Sequence, residues 1–82
     1  MKVRIIFYGG LKQDVGAKEL TLDLPRERLT TCELTDVLAR TYPSLAARLG
    51  TVVYAVNNSI VSACHPLQEG DEIGLLPPVS GG

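Results

Sequence analysis

The last eight residues carry the group with the clearest chemical potential, a carboxylate on a Gly-Gly pair. They read Leu75-Leu76-Pro77-Pro78-Val79-Ser80-Gly81-Gly82. Two adjacent prolines lack backbone N–H groups, so an interior strand cannot continue through them. Pro78 also favours extended backbone at Pro77, and six residues from Pro77 onward reach at most roughly 20 Å. We therefore predict a stiff, narrow tail over residues 77–82 that could carry the Gly82 carboxylate into a partner's active site.

The alternative is an ordinary frayed chain end, because termini are often disordered and without a role. Glycine makes up about 7% of average composition, so a Gly-Gly end arises by chance in about 0.5% of chains. This rarity favours a functional tail over a frayed one.

Length and composition point to one small globular domain. The chain has 82 residues, of which 45% are hydrophobic and 21% charged, with a net charge of −1. Without a basic cluster it is a poor nucleic-acid binder. Its apolar runs are too short to span a membrane, which excludes a membrane protein. We predict residues 1–76 as the folded domain and residues 77–82 as the extended tail.

The two cysteines and the single histidine do not suggest a metal site. Cys32 and Cys64 lie in different segments without Cys-x-x-Cys spacing. We predict a cytoplasmic protein in which both cysteines are reduced and packed as small hydrophobic residues. His65 lies in a loop with no nearby acid–nucleophile pair, so we expect it to form loop hydrogen bonds and not to act in catalysis.

Two strands are predicted near the start of the chain. Residues 3–8 are rich in β-formers, with Val3, Ile5 and Phe7 on the core face. Gly9-Gly10 indicates a turn, followed by a polar loop over residues 11–16. Residues 18–24 alternate cleanly and predict a second strand, antiparallel to the first because the connection is short.

A helix is predicted to begin after residue 30. Thr30 with Glu33 three residues later fits a capping box, and Leu29 with Leu34 fits a hydrophobic staple. Apolar residues then recur at helical spacing up to Tyr42, where Pro43 ends the helix. Residues 44–49 predict a further helical turn that Gly50 ends.

The rest of the chain predicts strands that return to the sheet. Residues 51–56 form a strand, Asn57-Asn58 a turn, and Ile60-Val61 a short strand. Residues 65–71 are predicted as a loop, and residues 72–76 as the final strand. A hairpin, a crossover helix and a return to the same sheet predict that the final strand lies parallel to the first at the sheet centre.

Three segments resemble a known family. His65-Pro66-Leu67, Gly70-Asp71-Glu72 and the Pro-Pro-Val-Ser-Gly-Gly end are similar to the small, sulfur-carrier subunit of molybdopterin synthase, and Ala55-Val56-Asn57 also matches. The first loop departs from the family pattern at Lys12-Gln13-Asp14 and at Gly9-Gly10. The resemblance implies an α+β, ubiquitin-like β-grasp fold with a mixed four- to five-stranded sheet and one main helix packed on one face.

The resemblance also implies a role in molybdenum cofactor biosynthesis. A partner of the E1-like adenylating class would use ATP and Mg²⁺ to activate Gly82, and a sulfur donor would convert the adenylate to a thiocarboxylate. This chain would bind no cofactor itself. A larger catalytic subunit would then receive the tail and take its sulfur for the dithiolene of molybdopterin. Gly81 would be needed because a side chain would clash in a narrow channel.

Partner contacts are expected beside the tail. Strand parity places Ile6, Tyr8 and Leu76 on the outer face of the sheet, and Ile60 lies in a neighbouring short strand. The family resemblance favours a docking role for Tyr8, Ile60 and Leu76, together with the tail residues Pro77, Pro78, Val79 and Ser80. The alternatives are a ubiquitin-like protein modifier, a sulfur carrier of another pathway such as thiamine thiazole synthesis, and an interaction domain with an inert tail.

Overall fold

The computed structural model describes residues 1–62 and 64–78. Its elements in chain order are β1 (Lys2–Phe7), α1 (Leu11–Val15), β2 (Glu19–Asp23), β3 (Leu29–Thr30), α2 (Thr31–Thr41), α3 (Pro43–Leu49), β4 (Val53–Val56), β5 (Ser59–Val61), β6 (Pro66–Leu67) and β7 (Glu72–Leu76). Within these ranges, no helix has the length and apolarity needed to cross a bilayer.

The main sheet has five strands in the order β2-β1-β7-β4-β5. Strands β1 and β7 run parallel, with Ile5 opposite Ile73, and the other neighbouring pairs are antiparallel. The predicted parallel pairing of the first and last strands is therefore confirmed. Since β7 is the third of five strands, it is hydrogen-bonded on both sides and ends at the middle of the sheet.

Helix α2 begins as its sequence predicts. The Thr30 hydroxyl accepts a hydrogen bond from the Glu33 backbone N–H at 3.3 Å, and the Thr30 N–H donates to the Glu33 carboxylate at 3.2 Å. These two bonds satisfy backbone groups that the first helical turn would otherwise leave unpaired. Leu29, before the cap, is buried together with Leu34, as a hydrophobic staple requires. Together these contacts fix where the main helix starts over the sheet.

The core lies between the inner face of the sheet and the helices. Alternate residues of β1 and β7 point inward and meet the buried stripe of α2, which comprises Leu34 and Leu38. Helix α3 adds Leu45 and Leu49, the pair expected from their spacing of four. The sheet contributes Val3, Ile5, Phe7, Tyr54, Val56, Ile73 and Leu75. One helix-covered face leaves the opposite face of the sheet available for other contacts.

Residues 11–16 are not the polar loop that the sequence suggested. Residues 11–15 form helix α1, and Gly16 ends it with a left-handed φ of 81°. Leu11 is fully buried against the core, and the Arg48 guanidinium meets the Asp14 carboxylate at 2.9 Å. A single apolar anchor and a contact to α3 thus stabilise a helix too short to show a helical pattern in the sequence.

Residues 65–71 were predicted as a loop, and this prediction is wrong for Pro66 and Leu67. They form β6, which pairs antiparallel with β3 in a separate two-stranded sheet. Leu67 is buried and lies opposite Leu29, so the pairing covers the end of the core next to the start of α2. Two-residue strands depend on this tertiary contact, which sequence alternation cannot reveal.

The prediction of two reduced, buried cysteines is also wrong. Cys32 and Cys64 form a disulfide across a Cα–Cα distance of 4.6 Å. Cys64 is exposed and Cys32 is half-buried. The pairing of β3 with β6 brings the segment before His65 against the start of α2, and so places the two thiols together. The predicted hydrogen bonding at His65 is present in its backbone, which donates to and accepts from Thr31.

Candidate functional site

The outer face of the sheet presents a row of small and apolar residues in register. Ile6 of β1 lies opposite Gly74 of β7, Gly74 lies opposite Ala55 of β4, and Ala55 lies opposite Ile60 of β5. These positions share one face because side chains alternate along each strand. We define the outer apolar surface as Ile6, Tyr8, Ala55, Ile60 and Leu76. The row therefore spans four neighbouring strands beneath the point where the tail begins.

Two of these side chains are the large exposed hydrophobic groups of the described chain. Ile60 is 66% exposed and Tyr8 is 43% exposed, while Leu76 and Ile6 are partly buried. Single exposed apolar residues are common, but a contiguous group beside a candidate functional terminus is typical of a protein–protein interface. The structure thus brings together Tyr8, Ile60 and Leu76, as the sequence led us to expect.

Gly74 allows the Tyr8 ring to lie over the central strand. A Cβ on Gly74 would come within 3.1 Å of Tyr8 Cε2 and 3.8 Å of the Ala55 Cβ. That spacing is tighter than most real Cβ contacts, so even an alanine would push the ring outward. The missing side chain leaves a depression of about 280 Å³, lined by Tyr8, Ala55, Asn58, Ile60, Glu72, Gly74 and Leu76. A protruding apolar side chain of a partner could fill it.

Asn57 fixes the hairpin that carries Ile60. Its side-chain amide donates to Asp71 at 3.0 Å, and its carbonyl oxygen accepts from the Glu72 N–H at 3.1 Å. Asn57 and Asn58 both have left-handed φ values, of 50° and 70°, as predicted for this turn. These bonds link the tip of the β4–β5 hairpin to the start of β7. Ile60 is therefore held at a fixed distance from the central strand.

Charged groups border the outer apolar surface on one side. Arg4 lies between Glu19 at 3.5 Å and Glu72 at 3.3 Å, and all three side chains are substantially exposed. Exposed ion pairs contribute at most about 1 kcal/mol to stability. At this position they give the apolar surface a polar rim on one side, as is usual for interfaces.

The root of the tail packs on the turn after β1. Gly9 has a left-handed φ of 58°, and a Cβ there would come within 2.9 Å of Pro77 Cγ. The Tyr8 N–H donates to the Leu75 carbonyl at 3.1 Å, which extends the β1–β7 pairing to the end of the sheet. Pro77 and Pro78 are exposed and follow β7 directly. The chain thus leaves the sheet from a strand that is held on both sides.

The remaining predicted tail residues, Val79, Ser80, Gly81 and Gly82, lie outside the described residues. Within the described ranges, no group of three or more His, Cys, Asp or Glu side chains is arranged to hold a metal ion. The division of the chain at residue 76 stays a prediction, although β7 does end at Leu76.

Sequence reasoning missed Gly74, Ala55 and Glu72 as parts of this site. The available signal was Gly74, because a glycine inside a strand often marks a close approach by another group. Ala55 and Glu72 lie in segments that resemble the family, but their place in this site depends on which strands are neighbours, which the sequence pattern does not give.

Comparison with known proteins matches this arrangement to one family. The ThiS family profile covers residues 5–82. The molybdopterin synthase sulfur carrier subunit of Escherichia coli is 33% identical, with 98% of this chain and 99% of that protein covered. The structural neighbours share the ubiquitin-like β-grasp fold, so the expected α+β fold class is confirmed.

Two solved structures are informative about relatives. A complex of subunits 1 and 2 of molybdopterin-converting factor from Helicobacter pylori contains a chain 30% identical, with a TM-score of 0.73 and full coverage of both chains. Small archaeal modifier protein 1 from Methanosarcina acetivorans is 25% identical, with a TM-score of 0.80, and the match covers 99% of this chain and 96% of that one. Because the ThiS family profile matches nearly the whole sequence, this chain belongs to the ThiS family.

Proposed function

We propose that this chain is the sulfur carrier subunit of a molybdopterin synthase and works through a thiocarboxylate at Gly82. The observation that carries the proposal is the match, along the whole length, to molybdopterin synthase sulfur carrier subunits. The fold supports it, because the tail begins at the end of a central strand and beside an apolar surface. The resemblance first seen in His65-Pro66-Leu67, Gly70-Asp71-Glu72 and the Pro-Pro-Val-Ser-Gly-Gly end points to the same family.

The proposed chemistry takes place at one carboxyl carbon. A free carboxylate is a poor acyl donor, because its oxygen is a poor leaving group. An E1-like partner therefore uses ATP with Mg²⁺ to form a Gly82 adenylate and pyrophosphate. A persulfide sulfur then attacks the carbonyl carbon and AMP leaves; reductive cleavage of the resulting acyl disulfide by a thiol yields the thiocarboxylate. This chain supplies the acyl group, and its partners supply the nucleotide and sulfur chemistry.

Sulfur delivery requires a second partner, the large catalytic subunit. The subunit 1 and 2 complex from Helicobacter pylori supports pairing of this kind. In our proposal the large subunit covers the outer apolar surface, and Pro77 and Pro78 direct the tail into its active site. Transfer of sulfur to a pterin precursor, followed by hydrolysis, would return Gly82 to its carboxylate form. A cytoplasmic location, where the pathway's soluble partners would meet this chain, belongs to the same proposal.

The test is reconstitution of sulfur loading with purified components. The chain is incubated with an adenylating enzyme of this family, ATP, Mg²⁺ and a persulfide donor, and its intact mass is measured. We expect a gain equal to the replacement of one oxygen by sulfur. Gly81→Ala, or removal of Gly82, should abolish this gain while leaving the thermal melt unchanged. Normal sulfur loading in either variant would contradict the proposal.

A protein-modifier role is a second candidate, supported by the similarity to small archaeal modifier protein 1. Both roles begin with adenylation of Gly82, so the products must be compared. Protein isolated from cells should carry the sulfur-for-oxygen exchange if it is a carrier. Conjugates of higher mass, with Gly82 joined to a lysine, would instead establish the modifier. A thiamine-type carrier would load sulfur but would not support pterin sulfuration.

A further inference from the structure

The Cys32–Cys64 pair lies away from the tail and has no part in the chemistry proposed above. Cys32 occupies the second position of α2, and Cys64 lies between β5 and β6. Cys64 is exposed and Cys32 is half-buried. Both line a pocket of about 490 Å³ between α2 and the β4–β5 edge of the sheet. We propose that this pair is a reversible thiol–disulfide exchange site that reacts with small thiols.

The two cysteines are held together by more than their own bond. The Thr31 N–H donates to the His65 carbonyl at 2.9 Å, and the His65 N–H donates to Thr31 Oγ1 at 2.9 Å. Thr31 is completely buried. Reduction of the disulfide therefore leaves the neighbouring backbones attached, and the two thiols stay close enough to re-form the bond. A bond that can open and close within an intact fold is suited to exchange.

Exposure decides which sulfur a thiol attacks. Cys64 is exposed and can be approached from solvent, whereas Cys32 is partly covered. Cys64 also has a left-handed φ of 62°, a conformation that non-glycine residues disfavour. Release of Cys64 from the bond allows this backbone to relax. Attack at Cys64 is therefore favoured on grounds of access and of backbone strain.

Cys32 is the better leaving group because of its place in α2. Cys32 lies in the first turn of an 11-residue helix, where the helix dipole favours a thiolate, and a stabilised thiolate leaves faster. The Glu33 carboxylate in the same turn is paired with the Arg26 guanidinium at 3.0 Å. This pairing weakens the electrostatic repulsion between Glu33 and a Cys32 thiolate. Asp36, one turn further on, lines the same pocket, and its negative charge disfavours a thiolate at Cys32.

The exchange is balanced in two steps. A small-thiol thiolate attacks Cys64 Sγ, the Cys32–Cys64 bond breaks, and Cys32 leaves as a thiolate that takes up a proton. A second small thiol then attacks the sulfur of the first, and Cys64 is released as a thiol. The protein gains two electrons and two protons, and two small thiols are oxidised to one disulfide. The reverse sequence restores the protein disulfide.

Opening the bond should loosen the rim of the pocket. In the oxidised form the disulfide joins α2 to the segment that follows β5, across one side of the pocket. In the reduced form the two Thr31–His65 hydrogen bonds and the β3–β6 pairing keep the His65 end of that segment in place, without the covalent link at Cys64. We therefore expect the amides of Ser62, Cys64 and His65 to exchange hydrogen several-fold faster after reduction, while the amides of β1 and β7 keep their rates.

The experiment uses the whole chain in glutathione buffers with graded ratios of thiol to disulfide. Samples are quenched with acid, alkylated and analysed by mass spectrometry. We expect both redox forms to be populated within the range of ratios, with the mixed disulfide mapped to Cys64. A bond that resists every ratio until denaturant is added would overturn the proposal. So would thiols that stay reduced in the most oxidising buffer.

Single-cysteine variants test the order of attack. Cys64→Ser, loaded with glutathione as a mixed disulfide on Cys32, should release its protein thiol to free glutathione several-fold faster than Cys32→Ser loaded on Cys64, because Cys32 is the better leaving group. Equal rates, or faster release from Cys32→Ser, would contradict the order of attack. Thermal melts establish that both variants are folded, and if either is not, the adduct mapped in the parent chain decides. None of these readouts involves Gly82, so failure here and failure of the sulfur-carrier proposal can be distinguished.

Discussion

At the scale of single residues, the shape of the outer apolar surface depends on Gly74, which has no side chain. Gly74 lies in the middle of β7, where a larger residue would lift Tyr8 off the sheet. The resulting depression is bordered by Ile60 and Leu76, the residues that the sequence placed near the tail. A partner group inserted there would contact the apolar side chains of Tyr8, Ile60 and Leu76 and lose contact with water, the usual setting of an interface hot spot.

Gly74→Ala is expected to weaken partner binding without unfolding the domain. The new methyl group occupies part of the depression and displaces the Tyr8 ring slightly, with a loss of about 1 kcal/mol or more of binding free energy. Titration calorimetry with the large synthase subunit measures the affinity. Gly50→Ala is the matched control, because a Cβ at Gly50 would meet no atom within 4 Å. If Gly74→Ala binds the partner with unchanged affinity, the depression is not part of the interface.

Tyr54 is expected to make stability depend on pH in the alkaline range. Burial raises the pKa of Tyr54 above its ordinary value of 10.0; the nearby Asp36 charge adds to this effect, and the hydrogen bond with Thr35 opposes it. The folded chain therefore holds the phenol proton more tightly than the unfolded chain. The resulting stabilisation is full below pH 10.0 and is lost as the pH rises through the folded-state pKa.

Urea unfolding of the parent and of Tyr54→Phe, near neutral pH and above pH 10.0, tests this expectation. The variant should lose about 1 kcal/mol near neutral pH because a hydrogen bond is removed. Thr35 keeps its bond to the Thr31 carbonyl, so no polar group is left unpaired. Above pH 10.0 the difference should shrink. A constant difference across this range would show that Tyr54 is not the titrating group.

At the scale of elements, sequence prediction succeeded where the signal is local. The capping box of α2 was readable because Thr30 and Glu33 have the required spacing and the required chemistry. The strand alternation of β1 and the Asn57-Asn58 turn are local for the same reason. Helix α1 and the β3–β6 pair were missed because their stability comes from distant contacts, Leu11 with the core and Leu29 with Leu67.

Thr30→Ala is expected to destabilise the chain by about 1 kcal/mol through loss of the helix cap. The midpoint and slope of urea unfolding give the change in the free energy of unfolding. Thr41→Ala, at the exposed end of the same helix, is the matched control and should have a much smaller effect. Equal losses in the two variants would mean that the cap contributes nothing beyond an ordinary threonine hydroxyl.

At the scale of the whole molecule, the fold places the end of β7, where the chain continues into Pro77 and Pro78, beside the outer apolar surface. The central position of β7 was predictable from the element order, since a crossover helix favours a parallel return beside β1. The position of Gly74 under Tyr8 and the union of Cys32 with Cys64 were not predictable. Both depend on which residues of distant segments face each other, and no local pattern contains that information.

The reach of the tail is expected to be fixed by the docked domain. Insertion of Gly-Ser between Leu76 and Pro77 lengthens the connection by about 7 Å and removes the contact of Pro77 with Gly9. We expect an unchanged thermal melt and a large loss of sulfur transfer to the pterin precursor, measured as product formed per thiocarboxylate. The same insertion after Gly16, in an exposed turn, should leave transfer intact. Normal transfer by the first variant would show that tail length is not constrained.

The parallel pairing of β1 with β7 also bears on when the tail can become active. Ile5 and Ile73 lie near opposite ends of the sequence, so the central pair of the sheet requires closure of a loop that includes almost the whole chain. During synthesis, β7 leaves the ribosome after every other element. The outer apolar surface is therefore complete only when β7 has joined the sheet. A partner that recognises this surface would engage only finished, folded molecules and would ignore nascent or truncated ones.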